Sequence, residues 1–259
     1  MLPYVEILGR SVSMYGVMVA AGAVAALAWA LWFSRGDRRF GAELELALVY
    51  GVIGAVVGAK LLYLLTKLPD FVRDLPYLAS QTEAFLRTYL AAGFVFYGGL
   101  YGFLAAVALY VRADKAPAER IWRGATPAIA VFHGFGRVGC FLAGCCYGVP
   151  AGHGGVVFSH SDFAPAGVAL VPVQLYGAAG EFLLFAALVW LARRGVGGRR
   201  LLGVYLTAYA VGRFVLEFWR GDEYRGVYAG LSLSQWISLV TAALGLWLLL
   251  RKMKREVSP

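Results

Sequence analysis

Residues 13–33 read SMYGVMVAAGAVAALAWALWF, without one charged side chain. A hydrocarbon core about 30 Å thick takes roughly 20 helical residues to cross, at about 1.5 Å each. Lipid offers the backbone no hydrogen-bond partners, so such a segment crosses as a helix or within a closed barrel. Barrel strands alternate apolar and polar residues. This run does not alternate, and it reads as a transmembrane helix. Six further spans follow near 43–66, 91–111, 124–144, 172–192, 201–219 and 233–250.

The bulk properties agree. Of the 259 residues, 60% are hydrophobic and 15% are charged, with a mean hydropathy of +0.68. Soluble domains are about 45–50% apolar and about 25% charged. The expected fold is an all-α, polytopic membrane protein of about seven helices, forming one transmembrane domain over 1–259. No charged segment with a short apolar core and a cleavage site precedes the first span, so that span is expected to be retained.

Charge sets the expected orientation. Arg35, Arg38 and Arg39 follow span one. Arg112, Lys115, Arg120 and Arg123 follow span three, and Arg193, Arg194, Arg199 and Arg200 follow span five. Arg251, Lys252, Lys254 and Arg255 follow span seven. These fifteen of the chain's 24 lysines and arginines fall on one side, which the positive-inside rule makes cytoplasmic. The N-terminus is then outside and the C-terminus cytoplasmic. The net charge of +9 is mostly this topology signal. The basic residues form short clusters between spans rather than a basic domain, so no nucleic acid is expected as a partner. On the outer side, residues 67–90 suit an interfacial arm formed by a short amphipathic helix. Residues 145–171, rich in glycine, suit a small head loop that caps the periplasmic face.

Charged groups inside a membrane are costly and mark functional sites. Arg137 stands near the outer end of span four, in His133-Gly-Phe-Gly-Arg137-Val-Gly-Cys140-Phe-Leu-Ala-Gly-Cys145-Cys146-Tyr-Gly148. Span six ends with Arg213 and Glu217, four apart and so on one helical face, with Arg220 a turn further on. One reading is a structural ion pair that closes the bundle. The other is that Glu217 holds one arginine while another takes an anion. Guanidinium forks suit phosphate oxygens.

The glycines Gly98, Gly99 and Gly102 allow either close helix packing or room for a lipid headgroup. Tyr97 and Tyr101, taken alone, read as interfacial aromatics. Cys140, Cys145 and Cys146, with His133, His153 or His160, have ligand types that suit zinc. Their spacing is not that of paired CxxC hooks. A reactive or oxidisable thiol is a second reading, and soft packing beside a cavity is the preferred one. No metal and no cofactor are expected. Lys60 either snorkels or lines a positive cavity, and Glu181 is a buried carboxylate without an assigned partner.

Six segments together resemble the prolipoprotein diacylglyceryl transferase family, nearly end to end. Ser13-Met14-Tyr15-Gly16 is similar to its N-terminal tyrosine–glycine motif. Tyr97-Gly98-Gly99-Leu100-Tyr101-Gly102 is similar to its His-Gly-Gly-Leu-x-Gly segment. Gly136-Arg137-Val138-Gly139 through Tyr147-Gly148 resembles its arginine signature. Pro172-Val173-Gln174-Leu175-Tyr176 resembles its Pro-Ser-Gln-Leu-Tyr. The segment from Arg213 to Arg220 resembles its Arg-Phe-x-x-Glu-Phe-x-Arg, and the one from Leu233 to Leu239 the opening of its last helix.

The resemblance implies transfer of a diacylglyceryl group from phosphatidylglycerol to the lipobox cysteine of a prolipoprotein, with release of glycerol phosphate. It places the chain in the bacterial inner membrane, with its site facing the periplasm or outer leaflet. Arg137, Arg213, Tyr97 and Glu217 are then the expected catalytic residues. Arg137, Arg213, Arg220, Gly98, Gly99, Tyr15, Gln174, Tyr176 and Gly148 are expected to bind the phospholipid. The chain departs from the family where its histidine is Tyr97, its asparagine Cys140 and its glutamate Cys145. Val171 replaces a further basic element. The alternative is a paralogous phospholipid-dependent transferase, or a lipid-binding protein, with a different acceptor or lipid.

Overall fold

The computed structural model describes residues 3–7, 9–78, 80–91, 93–222 and 226–251. Lys252, Lys254 and Arg255, used above for orientation, lie outside the described residues. The chain is all-α in its spans and forms two compact units, residues 1–36 with 122–259, and residues 37–121. Among the described residues seven helices are long and apolar enough to cross a membrane.

The first unit begins with a hairpin, β1 (Tyr4–Ile7) and β2 (Arg10–Ser13), that leads into α1 (Met14–Ser34). Two more helices, α2 (Arg38–Thr66) and α3 (Leu68–Asp74), belong to the second unit. So do α4 (Thr82–Leu86) and α5 (Phe96–Ala113). The chain then enters α6 (Ala118–Ala143) and returns to the first unit. A head segment carries the short hairpin β3 (Val156–Val157) and β4 (Ala169–Leu170). Helices α7 (Val173–Arg193) and α8 (Gly198–Leu216), hairpin β5 (Val227–Tyr228) and β6 (Leu231–Ser232), and α9 (Leu233–Leu250) complete it.

Small residues set the helix crossings of the first unit. A Cβ on Gly22 of α1 would stand 3.0 Å from the Phe135 side chain of α6, and one on Gly134 would stand 2.8 Å from Phe182 of α7. Gly203 of α8 and Gly245 of α9 face each other in the same way. Trp29 ties α1 to α6 by donating its indole N–H to the Gly124 carbonyl at 2.7 Å. At the basic end, Arg35 and Arg193 lie over the Trp32 ring and Arg194 over Trp190. These contacts let each cation keep a partner at the edge of the apolar layer. The head has its own apolar cluster of Phe158, Ala164 and Leu170, covered by Phe141, Tyr147, Val156 and Val168.

In the second unit α2 and α5 cross on glycines four residues apart. Gly54 and Gly58 of α2 meet Gly98 and Gly102 of α5 so closely that a Cβ on any of them would strike facing backbone. This is the small-xxx-small packing of membrane helices. Lys60 lies over the rings of Tyr63 and Phe94, at 4.9 and 5.2 Å from their centroids.

The arm at 67–90 is not one amphipathic helix. It is broken into α3, a 3₁₀ turn (Leu75–Tyr77), α4 and a π-helical turn (Arg87–Ala91). Pro69 and Pro76 each open a helical piece and lack the N–H that would continue the preceding one. Phe71, Phe85 and Tyr89 hold the pieces together. Tyr89 also donates its hydroxyl to Asp74 at 2.7 Å. That bond and the neighbouring Arg73 hold the Asp74 carboxyl below its ordinary range.

Candidate active site

Most of the expected site residues lie in the first unit, around the end of α6. That helix stops at Gly144, whose φ of +73° suits a residue without Cβ. The Cys145 N–H reaches back to the Cys140 carbonyl at 3.1 Å, and the Gly144 N–H to Phe141 at 3.2 Å. This pair of bonds is a Schellman cap, and it brings Cys145 beside Cys140. Cys146 then takes a left-handed φ of +57°, uncommon for a residue with a Cβ. The three sulfurs lie within 4.8 Å of one another. The cysteines are unbridged.

The Tyr147–Gly148 step is stitched to two other segments. The Gly148 N–H donates to Val171 and the Val149 N–H to Trp219, while the Gly221 N–H donates to Tyr147. A Cβ on Gly148 would strike the Val171 carbonyl and stand 2.8 Å from that of Trp219. Gln174 is fully buried and donates its amide to the Cys145 carbonyl at 2.8 Å. It therefore positions the loop. Tyr176, two residues along and on the other side of the helix, is 56% exposed. Tyr15, in the first turn of α1, packs against Gly139 of α6.

Arg137 leaves α6 one turn before Cys140, and its guanidinium lies against Gly177 of α7. A Cβ there would stand 2.9 Å from Nε and 3.6 Å from Cζ. Among the described residues Arg137 makes no hydrogen bond and no ion pair. A part-buried guanidinium with five donors and no acceptor is a ready site for an anion.

Span six differs from the helical face expected for it. α8 ends at Leu216, Glu217–Trp219 forms a 3₁₀ turn, and Arg220 is extended. The cause is the bonding of Trp219 and Gly221 to the head segment, with Gly148 and Arg220 paired as an antiparallel bridge. Arg213 is ion-paired with Glu217, and its Nη2 is buried with no hydrogen-bond partner among the described residues. The Ser232 hydroxyl donates to the other Glu217 oxygen at 2.9 Å. Ser232 is in turn fixed as the N-cap of α9 by a capping box with Gln235. Arg220 is occupied differently. Its fork grips Asp222 through Nε and Nη2, and its Nη1 lies 4.0 Å from Glu217. Burial works against the Arg220 charge, but Asp222, Cys146 and Glu217 outweigh it and hold the guanidinium above its ordinary range.

Hydrogen bonds from Cys140 and Cys145, then the charges of Arg220 and Arg137, push the Cys146 thiol well below its ordinary range against the effect of burial. Cys145 moves up, through its bonds to Cys140 and Cys146 and through burial. The site thus combines three arginines, Arg137, Arg213 and Arg220, with Glu217 and a cluster of three thiols.

Tyr97, Gly98 and Gly99 belong to the second unit. Tyr97 is buried at the start of α5. Gly98 packs on α2, whereas Gly99 has its nearest neighbours at 3.4 and 3.5 Å and room for a methyl group.

The family model for prolipoprotein diacylglyceryl transferase matches residues 3–251. The chain belongs to that family. It is 37% identical to the phosphatidylglycerol–prolipoprotein diacylglyceryl transferase of Clostridium tetani, over 93% of this chain and 94% of the relative. It is 34% identical to phosphatidylglycerol–prolipoprotein diacylglyceryl transferase 2 of Clostridium perfringens, over 90% and 88%. It is 31% identical to the phosphatidylglycerol–prolipoprotein diacylglyceryl transferase of Idiomarina loihiensis, over 93% and 88%.

Against this family background four features were not read from the sequence. Asp222 and Ser232 occupy Arg220 and Glu217. Gly177 seats Arg137. Glu181 has a partner in His133, whose Nδ1 stands 2.9 Å from Oε1. Of these, the Ser232-x-x-Gln235 spacing is a capping signature visible in the sequence.

Proposed function

We propose that this chain moves the diacylglyceryl group of phosphatidylglycerol onto the lipobox cysteine of a prolipoprotein, releasing glycerol phosphate. The observation that carries this is Arg137, a guanidinium seated on Gly177 with no protein partner among the described residues, in a chain of this family. Arg137 binds the lipid phosphate. Arg213, oriented by Glu217, offers its buried Nη2 to the phosphate oxygens. Charge accumulates on the phosphate as the glycerol carbon–oxygen bond breaks, so donors already in place stabilise the transition state more than the ground state. The acceptor thiol comes from the peptide. Arg220, held by Asp222, fixes the loop beside the site and contributes positive potential. Tyr97 stands where the family has its histidine, and its part in the reaction is assigned from that sequence position. The protein works in the bacterial inner membrane with the site on the periplasmic side, opposite its basic clusters.

The test is glycerol phosphate release by the purified protein, given phosphatidylglycerol and a lipobox peptide. Release is expected to require the peptide cysteine and to disappear in Arg137→Ala. Release at the wild-type rate by that variant would remove Arg137 from the mechanism. A protein that binds phosphatidylglycerol without releasing glycerol phosphate has another acceptor.

A further inference from the structure

The structure gathers three thiols into one place. Cys140 comes from the last turn of α6, Cys145 from its cap and Cys146 from the next residue. Their sulfurs lie within 4.8 Å of one another. Zinc–sulfur bonds of about 2.3 Å set sulfurs about 3.8–4.0 Å apart in tetrahedral or trigonal sites. The cluster therefore needs to close by less than about 1 Å to hold zinc at that bond length.

Two independent features hold the sulfurs in this arrangement. Cys146 has the left-handed φ of +57°, a conformation that persists only where surrounding structure imposes it. Gln174 pins the Cys145 carbonyl from a different helix. Among the described residues no imidazole or carboxylate joins the three sulfurs. Three protein ligands and one open position is the pattern of catalytic rather than structural zinc. Three thiolates on zinc leave one net negative charge, and Arg137 stands one turn before Cys140 on α6.

We infer that Cys140, Cys145 and Cys146 bind a zinc ion whose open fourth position takes the acceptor cysteine of the lipobox peptide. This rests on the transferase reading given above. The reaction needs a thiolate nucleophile. An ordinary cysteine has a pKa of about 8.5, and an ordinary tyrosine, the residue type at position 97, has one of about 10 and is a weak base at neutral pH. Coordination deprotonates a thiol outright and is a recognised way to activate a nucleophile. The peptide sulfur, bound to zinc, attacks the terminal glycerol carbon of the diacylglyceryl group. A carbon–sulfur bond forms, and the carbon–oxygen bond to phosphate breaks with its electron pair leaving on the phosphate oxygen. The thiol proton ends on the glycerol phosphate. Nothing is oxidised or reduced, and the neutral thioether, a poor ligand, leaves the metal.

The experiment uses the full chain in phospholipid nanodiscs. Zinc content is measured by mass spectrometry in wild type and in the Cys140→Ser, Cys145→Ser, Cys146→Ser triple variant. Cobalt is then substituted, and its thiolate charge-transfer and ligand-field bands are followed as lipobox peptide is added. One zinc per chain is expected in wild type and none in the variant. The cobalt spectrum is expected to change with the cysteine peptide and not with its serine analogue. Chelation is expected to lower glycerol phosphate release about a hundredfold or more, the scale of a lost proton-transfer or activation step, with recovery on adding zinc. Absence of bound metal overturns the inference, and so does a cobalt spectrum indifferent to the peptide thiol. Full release by the chelated protein, still abolished in Arg137→Ala, leaves the transferase reading intact and removes zinc. Absence of release with a thiol-responsive cobalt spectrum refutes the assigned reaction while leaving the metal site in place.

Discussion

Replacing Gly177 by alanine should disable the site without weakening the fold. The new Cβ would stand 2.9 Å from the Arg137 Nε, 3.5 Å from Nη2 and 3.6 Å from Cζ. Comfortable separations between such atoms are about 3.5 Å or more, so the guanidinium must retreat by about 0.6 Å. The obstructed atoms are the far end of a flexible side chain, so the backbone has no reason to move. Alanine is also a better helix former than glycine by about 1 kcal/mol, and α7 should be as stable as before or more so. Misplacing a catalytic group by about 1 Å costs on the order of a hundredfold, and the smaller shift here should cost about ten- to a hundredfold. The assay is glycerol phosphate release alongside thermal unfolding in the same detergent. Gly180→Ala, on the same helix with nothing within 4 Å, is the control and should retain wild-type turnover. Wild-type turnover in Gly177→Ala, with unfolding unchanged, would show that the seat of Arg137 is irrelevant and refute its placement at the phosphate.

Further outcomes follow from the same contacts. Arg213→Lys should lose about a hundredfold or more in turnover, the scale of a lost transition-state donor, because an ammonium cannot hold Glu217 and a phosphate oxygen with one planar fork. Ser232→Ala removes the cap of α9 and a donor to Glu217. It should lower unfolding stability by about 1 kcal/mol and reduce activity with it, both read on one preparation. Gly98→Ala drives a methyl group into the Gly58 backbone and should destabilise the α2–α5 pair by about 1–3 kcal/mol, whereas Gly99→Ala should be tolerated. Tyr97→Phe should be slower in glycerol phosphate release, and full activity would show that the hydroxyl takes no part.

The spans were legible because each is a continuous apolar run, which needs only length to be read. Their starts were less so. Helix α2 begins at Arg38 rather than near 43, because Asp37 caps it by accepting the Phe40 N–H, and a charged first turn hides the boundary from a hydropathy reading. The two-residue strands of the head carry too few positions to show alternation. Arg137, Arg213 and Glu217 stood out because a charge in an apolar run needs a reason. Their partners did not, since pairing Glu217 with Ser232 or Glu181 with His133 depends on how distant segments meet. Cys140 and Cys145 lie midway between. Gly144 announces a cap, and a Schellman cap by itself brings those two residues together. Only the left-handed turn at Cys146 completes the trio, and no residue type there signals it.

The most direct test of the proposed activity is the intact mass of the lipobox peptide after incubation with the protein and phosphatidylglycerol of defined acyl chains. A single diacylglyceryl adduct on the cysteine sulfur, matched by one glycerol phosphate released and absent from the serine peptide, is the predicted result. Glycerol phosphate released without peptide, or a peptide recovered unmodified while the lipid is consumed, would contradict it.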